Sequence, residues 1–204
     1  MKTVYLIRHS KTFKFNNIQN NDNLQVQNEK YSLSSEGISI AKNKFNSPEF
    51  DNIDILYSSK YVRSIQTANL LAENNNLKIN IISDFGERKF GVSSWDELPE
   101  QFERKQFFDE NYKIGNGENQ KEVRERMYAA LTKILNDNNK RIAIVSHATA
   151  MTYLLMKWCN VEIIGDIFKF TFKDKVVFDK SFDYCETFEL IFDDNNNLID
   201  IKNI

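Results

Sequence analysis

Short runs of β-forming residues recur along this 204-residue chain, and the polar positions just past them carry its scarcest side chains. TVYLI (3–7) and RIAIVS (141–146) are apolar almost throughout, as strands are when both of their faces are covered. IDILYSS (53–59) and LKINIIS (77–83) read as two more strands. Between them KYVRSIQTANLLAE (60–73) sets Val62, Ile65, Ala68 and Ala72 at helical spacing. In LSSEGISIAKNKF (33–45), Ser34 suits an N-cap and Glu36 a first helical turn. KEVRERMYAALTKIL (121–135) and ATAMTYLLMKW (148–158) also read as helices, and FELIF and LIDIKN around the turn DDNNN as a hairpin at the sheet edge. Strands alternating with helices imply an α/β fold with a mostly parallel sheet. Asn16 to Lys30 reads as a polar loop, and residues 86–126 as an insertion with some helix. The expectation is one domain over 1–204, with a cap-like insertion around 88–122.

Composition removes several classes. Hydrophobic residues make up 41% and aromatics 13%, enough for a sizeable core. The 27 Lys and Arg face 29 Asp and Glu, a net charge of -2, which argues against a general nucleic-acid or acidic-membrane surface. A small anionic substrate needs only a local positive cluster. Cys159 and Cys185 lie far apart with no Cys/His companions, so neither a zinc site nor a disulfide framework is expected, but two buried thiols in a reducing cytoplasm. The apolar run before Arg8 is too short for a signal-peptide core, and no stretch approaches the ~18 apolar residues of a membrane span.

The chain has two histidines. His9 follows the first strand and His147 follows RIAIVS, each just past a carboxyl end, where open parallel sheets bind ligands. If those strands are neighbours, both imidazoles face one crevice. Arg8 lies in the first strand–loop turn, and Arg63 in the first turn or two of the helix after IDILYSS. Taken singly, Arg63 reads as a solvated helix residue and Arg8 as a salt-bridged loop residue. Together, two guanidiniums, two imidazoles and two helix starts suit a phosphoryl dianion, whose oxygens the arginine fork matches.

VYLIRHSKT resembles the first motif of the histidine phosphatase superfamily, the phosphoglycerate mutase-like proteins, usually written Arg-His-Gly. LSSEGISIA is similar to that family's Leu-Thr-x-x-Gly-x-x-Gln-Ala segment, and YSSKYVRSIQTANLLA to its Ser-x-x-x-Arg-x-x-Gln-Thr-Ala helix at Ser59, Arg63, Gln66, Thr67 and Ala68. FGERKFG resembles the acid segment at Glu87, NGENQKEVRERM the Gly-Glu-Ser…Arg stretch at Gly117, Glu118 and Arg126, and IAIVSHA the second-histidine motif. The resemblance spans residues 3–150. It implies a three-layer αβα fold and a phosphatase that hydrolyses a small phosphomonoester without metal or cofactor. His9 becomes the nucleophile of a phosphohistidine intermediate. Arg8, Arg63 and His147 hold the phosphoryl oxygens, with Thr12 and Ala148 also binding substrate, and Glu87 serves as proton donor and then base. Glu118 is expected to support the pocket from behind.

Two residues depart from the family pattern: Ser10 stands where the glycine is usual, and Lys11 where Glu or Gln is. Asn16 lies one residue off a family asparagine and is not carried over. Alternatives are a phosphoglycerate mutase or a non-catalytic phosphate-binding relative; WDELPEQFERKQFF (95–108) reads as cap packing or a partner helix. Lys89, Arg104, Lys105 and Lys113 are candidates for reading a second anionic group. A cytoplasmic monomer or homodimer is expected.

Overall fold

The computed structural model describes residues 1–13 and 22–204. In chain order its first elements are β1 (Lys2–Arg8), α1 (Leu24–Lys30), α2 (Ser35–Phe45), β2 (Ile55–Ser58), α3 (Val62–Asn75) and β3 (Ile79–Ile81). Then come α4 (Phe102–Phe108), α5 (Gln120–Leu135), β4 (Arg141–Ser146) and α6 (Ala148–Leu155). The chain closes with β5 (Asn160–Ile164), β6 (Ile167–Phe172), β7 (Lys175–Lys180), β8 (Thr187–Phe192) and β9 (Leu198–Asn203).

Six strands form one sheet in the order β3-β2-β4-β1-β8-β9. The first four are parallel; β8 and β9 add an antiparallel edge. Successive side chains of a strand point to opposite faces, and β1 uses both. Val4 and Leu6 join a core with Val123 and Met127 of α5 and Met151 and Leu154 of α6. Tyr5 and Ile7 join another with Ala41 and Phe45 of α2 and Ala68 and Leu71 of α3. The protein is therefore a mixed α/β fold of three layers, with a mostly parallel sheet between two pairs of helices. The β8–β9 hairpin turns where the sequence predicts, Asp193 Oδ1 accepting from the backbone N–H of Asn195 at 2.9 Å and of Asn197 at 2.8 Å.

Four differences from expectation have physical causes. Asn16 to Lys30 is not all loop: α1 occupies Leu24–Lys30, capped by Asn23, whose side chain accepts from the Val26 N–H. Its apolar content is low, and Leu24 holds it by packing with Phe90 and Phe102 in a third cluster, apart from the two main cores. Asn16 itself lies outside the described residues. Along α3 the buried stripe is Ser64, Thr67, Ala68, Leu71 and Ala72, with Arg63, rather than Val62 and Ile65. The N-terminal half of this helix faces polar chemistry, so its inner face does not read as hydrophobic. α6 stops at Leu155, short of Trp158, and enters a turn.

The fourth difference is the three-stranded antiparallel sheet β5-β6-β7, which sequence reading missed. Its signal lies in the alternation Phe168, Phe170, Phe172 and in the two-residue turn Lys173–Asp174. Both turn residues have positive φ, 46° and 63°, as a type I′ hairpin requires. Phe170 and Phe178 bury against Phe188 of β8, which fastens this sheet to the main one. No helix among the described residues is long and apolar enough to cross a membrane.

Candidate active site

Parallel pairing of β1 with β4 and of β4 with β2 brings three carboxyl ends to one edge. His9 and the start of α3 extend two of them, and His147 extends the third as the N-cap residue of α6. The imidazole centroids are 5.1 Å apart. Neither N-cap residue, Tyr61 nor His147, caps its helix with its own side chain, so both positive ends stay turned toward the crevice.

The turn after β1 is held from outside the crevice. A Cβ at Gly37 would come within 2.0 Å of the Lys11 carbonyl oxygen, so glycine lets α2 press against this turn. Ser10, in place of the usual glycine, is fully buried, and its hydroxyl donates to the Gly37 carbonyl at 2.6 Å. Its N–H donates to Thr67 Oγ1 at 3.0 Å, and its φ is not positive. Serine is thus accommodated without strain, its side chain directed toward α2. Lys11 pairs with Glu36 at 2.6 Å on the outer side.

His9 Nδ1 lies 2.7 Å from the Ser10 carbonyl oxygen, an acceptor only, which puts the proton on Nδ1 and leaves a lone pair on Nε2. Arg63 Nε donates to that Nε2 at 3.0 Å. The second imidazole is oriented the other way. His147 Nδ1 accepts from Arg63 Nη2 at 3.2 Å, so its Nε2–H donates to Ser59 Oγ at 2.8 Å. Arg63, only 5% exposed, also donates through Nη1 to the Asn28 carbonyl of α1 and lies over the Tyr61 ring. Burial, then the Arg63 guanidinium, holds both imidazoles well below the ordinary histidine range.

Arg8 donates through Nη1 to the Phe182 carbonyl at 2.8 Å, while its buried Nε has no partner among the described residues. Glu87 Oε1 accepts from the Ala150 N–H at 3.1 Å, in the first turn of α6. Its backbone is anchored by Arg126, which donates to the carbonyls of Gly86 and Glu87, each at 3.1 Å, and of Asp84 at 2.6 Å. Glu118 grips Arg126 at 2.8 and 3.0 Å and accepts from the Lys89 N–H. His9, Arg8, Arg63, His147 and Glu87 therefore converge. Ala148 begins α6 and lines a cleft beside them, and Thr12 lies past the turn, its backbone bridging Leu33.

With this geometry in view, comparison with known proteins is decisive about family. Residues 4–171 match the histidine phosphatase superfamily (branch 1). The chain belongs to that superfamily. No curated protein sequence matches it. Among solved structures, a mycobacterial glucosyl-3-phosphoglycerate phosphatase in complex with inorganic phosphate superposes with a TM-score of 0.71 at 12% identity, covering 100% of this chain and 96% of its own. A phosphoserine phosphatase of Entamoeba histolytica, in complex with 3-phosphoglyceric acid, gives 0.66 at 18% identity, over 100% and 98%. A putative α-ribazole-5′-P phosphatase of Escherichia coli gives 0.61 at 18% identity, over 90% and 98%. At these identities the likeness is one of fold.

Within this member of the superfamily, the four candidate cations of the 88–122 segment do not converge. Arg104 lines the cleft, whereas Lys89 and Lys105 are exposed and Lys113 pairs with Glu122 at 2.5 Å. Sequence reading passed over Arg88, which is 2% exposed and pairs with Glu103 at 2.6 Å, its Nε without a partner among the described residues. The Asn28 carbonyl was also missed, since a backbone acceptor leaves no mark on sequence.

The buried imidazoles make stability depend on pH. The unfolded chain takes up their protons near pH ~6.5, the folded chain only well below. Stability should fall as pH drops below ~6.5, by up to about 1.4 kcal/mol per pH unit for each histidine. Urea midpoints at pH 7.5, 6.5 and 5.2 test this above the carboxylate range. A midpoint unchanged from 7.5 to 5.2 means that the imidazoles protonate in place.

Proposed function

We propose that this histidine phosphatase hydrolyses a small phosphomonoester through a phosphohistidine on His9, without metal. The observation that carries the reading is the fixed tautomer of His9, with Nδ1 spent on the Ser10 carbonyl and the lone pair left on Nε2, beside Arg63 Nε at 3.0 Å. In the first step Nε2 attacks phosphorus, the ester P–O bond breaks, and Glu87 in its acid form protonates the departing oxygen. In the second, the Glu87 carboxylate takes a proton from water, whose oxygen displaces Nε2 and frees phosphate. Arg8, Arg63 and His147 hold the phosphoryl oxygens as charge spreads over them. Arg126 and Glu118 keep the Glu87 backbone in place. Ala148 and Thr12 complete the substrate set.

We read residues 1–204 as one domain in which the segment around 88–122 serves as the cap, and the chain as a cytoplasmic monomer or homodimer. Two free, buried thiols, held up to about 12 at Cys159 and about 11 at Cys185 by burial, suit a reducing compartment. The near-neutral charge speaks against nucleic-acid or membrane partners.

The test is phosphate release from a panel of phosphomonoesters in excess EDTA. Undiminished turnover is expected, together with slow or no interconversion of 2- and 3-phosphoglycerate. Activity lost to EDTA and restored by a divalent ion refutes the metal-free site. Efficient, primer-dependent interconversion makes the protein a mutase.

A further inference from the structure

Beside Arg8 and Ala148 opens a cleft of about 450 Å³, within the range that takes a drug-sized molecule rather than a three-carbon acid. Phe107 and Phe108 of α4 form one wall, their rings edge-on at 5.1 Å. Ile163 and Phe168 of the β5–β6 hairpin line it together with Phe182, whose ring meets that of Phe168 at 5.4 Å. Tyr153 of α6 also lines the cleft. Phe182 is joined to the phosphoryl pocket directly, because its carbonyl accepts from Arg8. The rim is apolar at Phe108, which is 64% exposed.

The charges in the cleft do not suit a second anion. Arg88 is neutralised by Glu103 at 2.6 Å, and its guanidinium lies over the Phe90 and Phe102 rings. Arg104 sits over Phe108, and Asp166 is the other acid in the lining. Arg8 belongs to the phosphoryl group. Counted without Arg8, the lining has two arginines and two acids and therefore no excess positive charge.

Resting on the phosphatase reading above, we propose that the alcohol portion of the substrate is uncharged and apolar, bearing a flat ring that lies between the α4 wall and the β5–β6 hairpin. Polar acids such as phosphoglycerate leave these aromatic surfaces uncovered. Burying one such ring favours binding by about 10–100-fold.

Binding and turnover are measured separately. Non-hydrolysable ethylphosphonate, a phosphonate with a carboxylate tail and 2-(naphthyl)ethylphosphonate are titrated calorimetrically against the whole protein, and the matching phosphate esters are assayed. All three esters leave as primary alkoxides, so differences report the cleft. The naphthyl phosphonate should bind about 10–100-fold more tightly than ethylphosphonate. Phe108→Ser, an exposed position, should remove most of that gain and leave ethylphosphonate binding unchanged. Equal binding of the naphthyl and ethyl compounds, or tightest binding of the carboxylate, overturns the proposal whatever the turnover. Selective naphthyl binding without hydrolysis of any ester leaves the cleft assignment standing and refutes the phosphatase reading alone.

Discussion

His9→Ala should abolish phosphate release, by roughly the 10⁵–10⁶-fold that loss of a covalent nucleophile costs, whereas His147→Ala should leave a trace. The asymmetry follows from the hydrogen bonds. The Nδ1 of His9 is committed to a backbone carbonyl, which leaves the lone pair on Nε2, where Arg63 Nε donates to it at 3.0 Å, and no other group can supply that lone pair. His147 spends its Nε2–H on Ser59, and Arg63 reaches across both rings, so some anion binding survives without the second imidazole. Quenching wild type with labelled substrate should trap an acid-labile, alkali-stable adduct on His9. Phosphate trapped instead on Ser10 or Ser59 would sink the mechanism, and the buried hydroxyl of Ser10, turned toward Gly37, is poorly placed for it.

Glu87→Gln should slow hydrolysis of alkyl phosphates by about 10²–10⁴-fold, the usual scale of general acid–base catalysis. Glutamine keeps a carbonyl oxygen to accept from Ala150, so the start of α6 retains its partner and the change isolates the proton. An alkoxide cannot leave without that proton, which in this reading the Glu87 carboxyl group supplies. p-Nitrophenolate needs no such help. The mutant should therefore give a normal burst of nitrophenol and then stall, because the base that activates water is gone. Equal loss of the burst with both ester types would mean that Glu87 is a structural carboxylate.

What could be read from sequence follows from how local each signal is. β1 and β4 were legible because burial on both faces writes an uninterrupted apolar run, and His9 and His147 because each sits two residues past such a run. Arg63 was legible as a candidate but not as a buried group, since its burial depends on α1 covering it. The inner face of α3 misled because Ser64 and Thr67 are buried polar residues with partners on β4 and the β1 turn. Arg88 could not be distinguished from the other cations of the 88–122 segment, because only packing decides which of them Phe90 and Phe102 enclose. The β5–β7 sheet had a readable alternation and turn, but its attachment to the main core runs through ring contacts with Phe188 of β8, which no local pattern marks.

The placement of β1 also bears on how the protein is made. It lies between β4 and β8, so the strand synthesised first pairs with partners whose first matched residues, Arg141 and Thr187, emerge more than a hundred positions later. Loop closure over such distances is slow, and topologies rich in distant pairings fold in milliseconds to seconds. On the ribosome the apolar β1 waits with both edges bare, a template for pairing with another chain. The two histidines meet only when that wait ends. Completion of the proposed catalytic centre is thus a late folding event, and a chain halted before β4 carries His9 without His147 beside it.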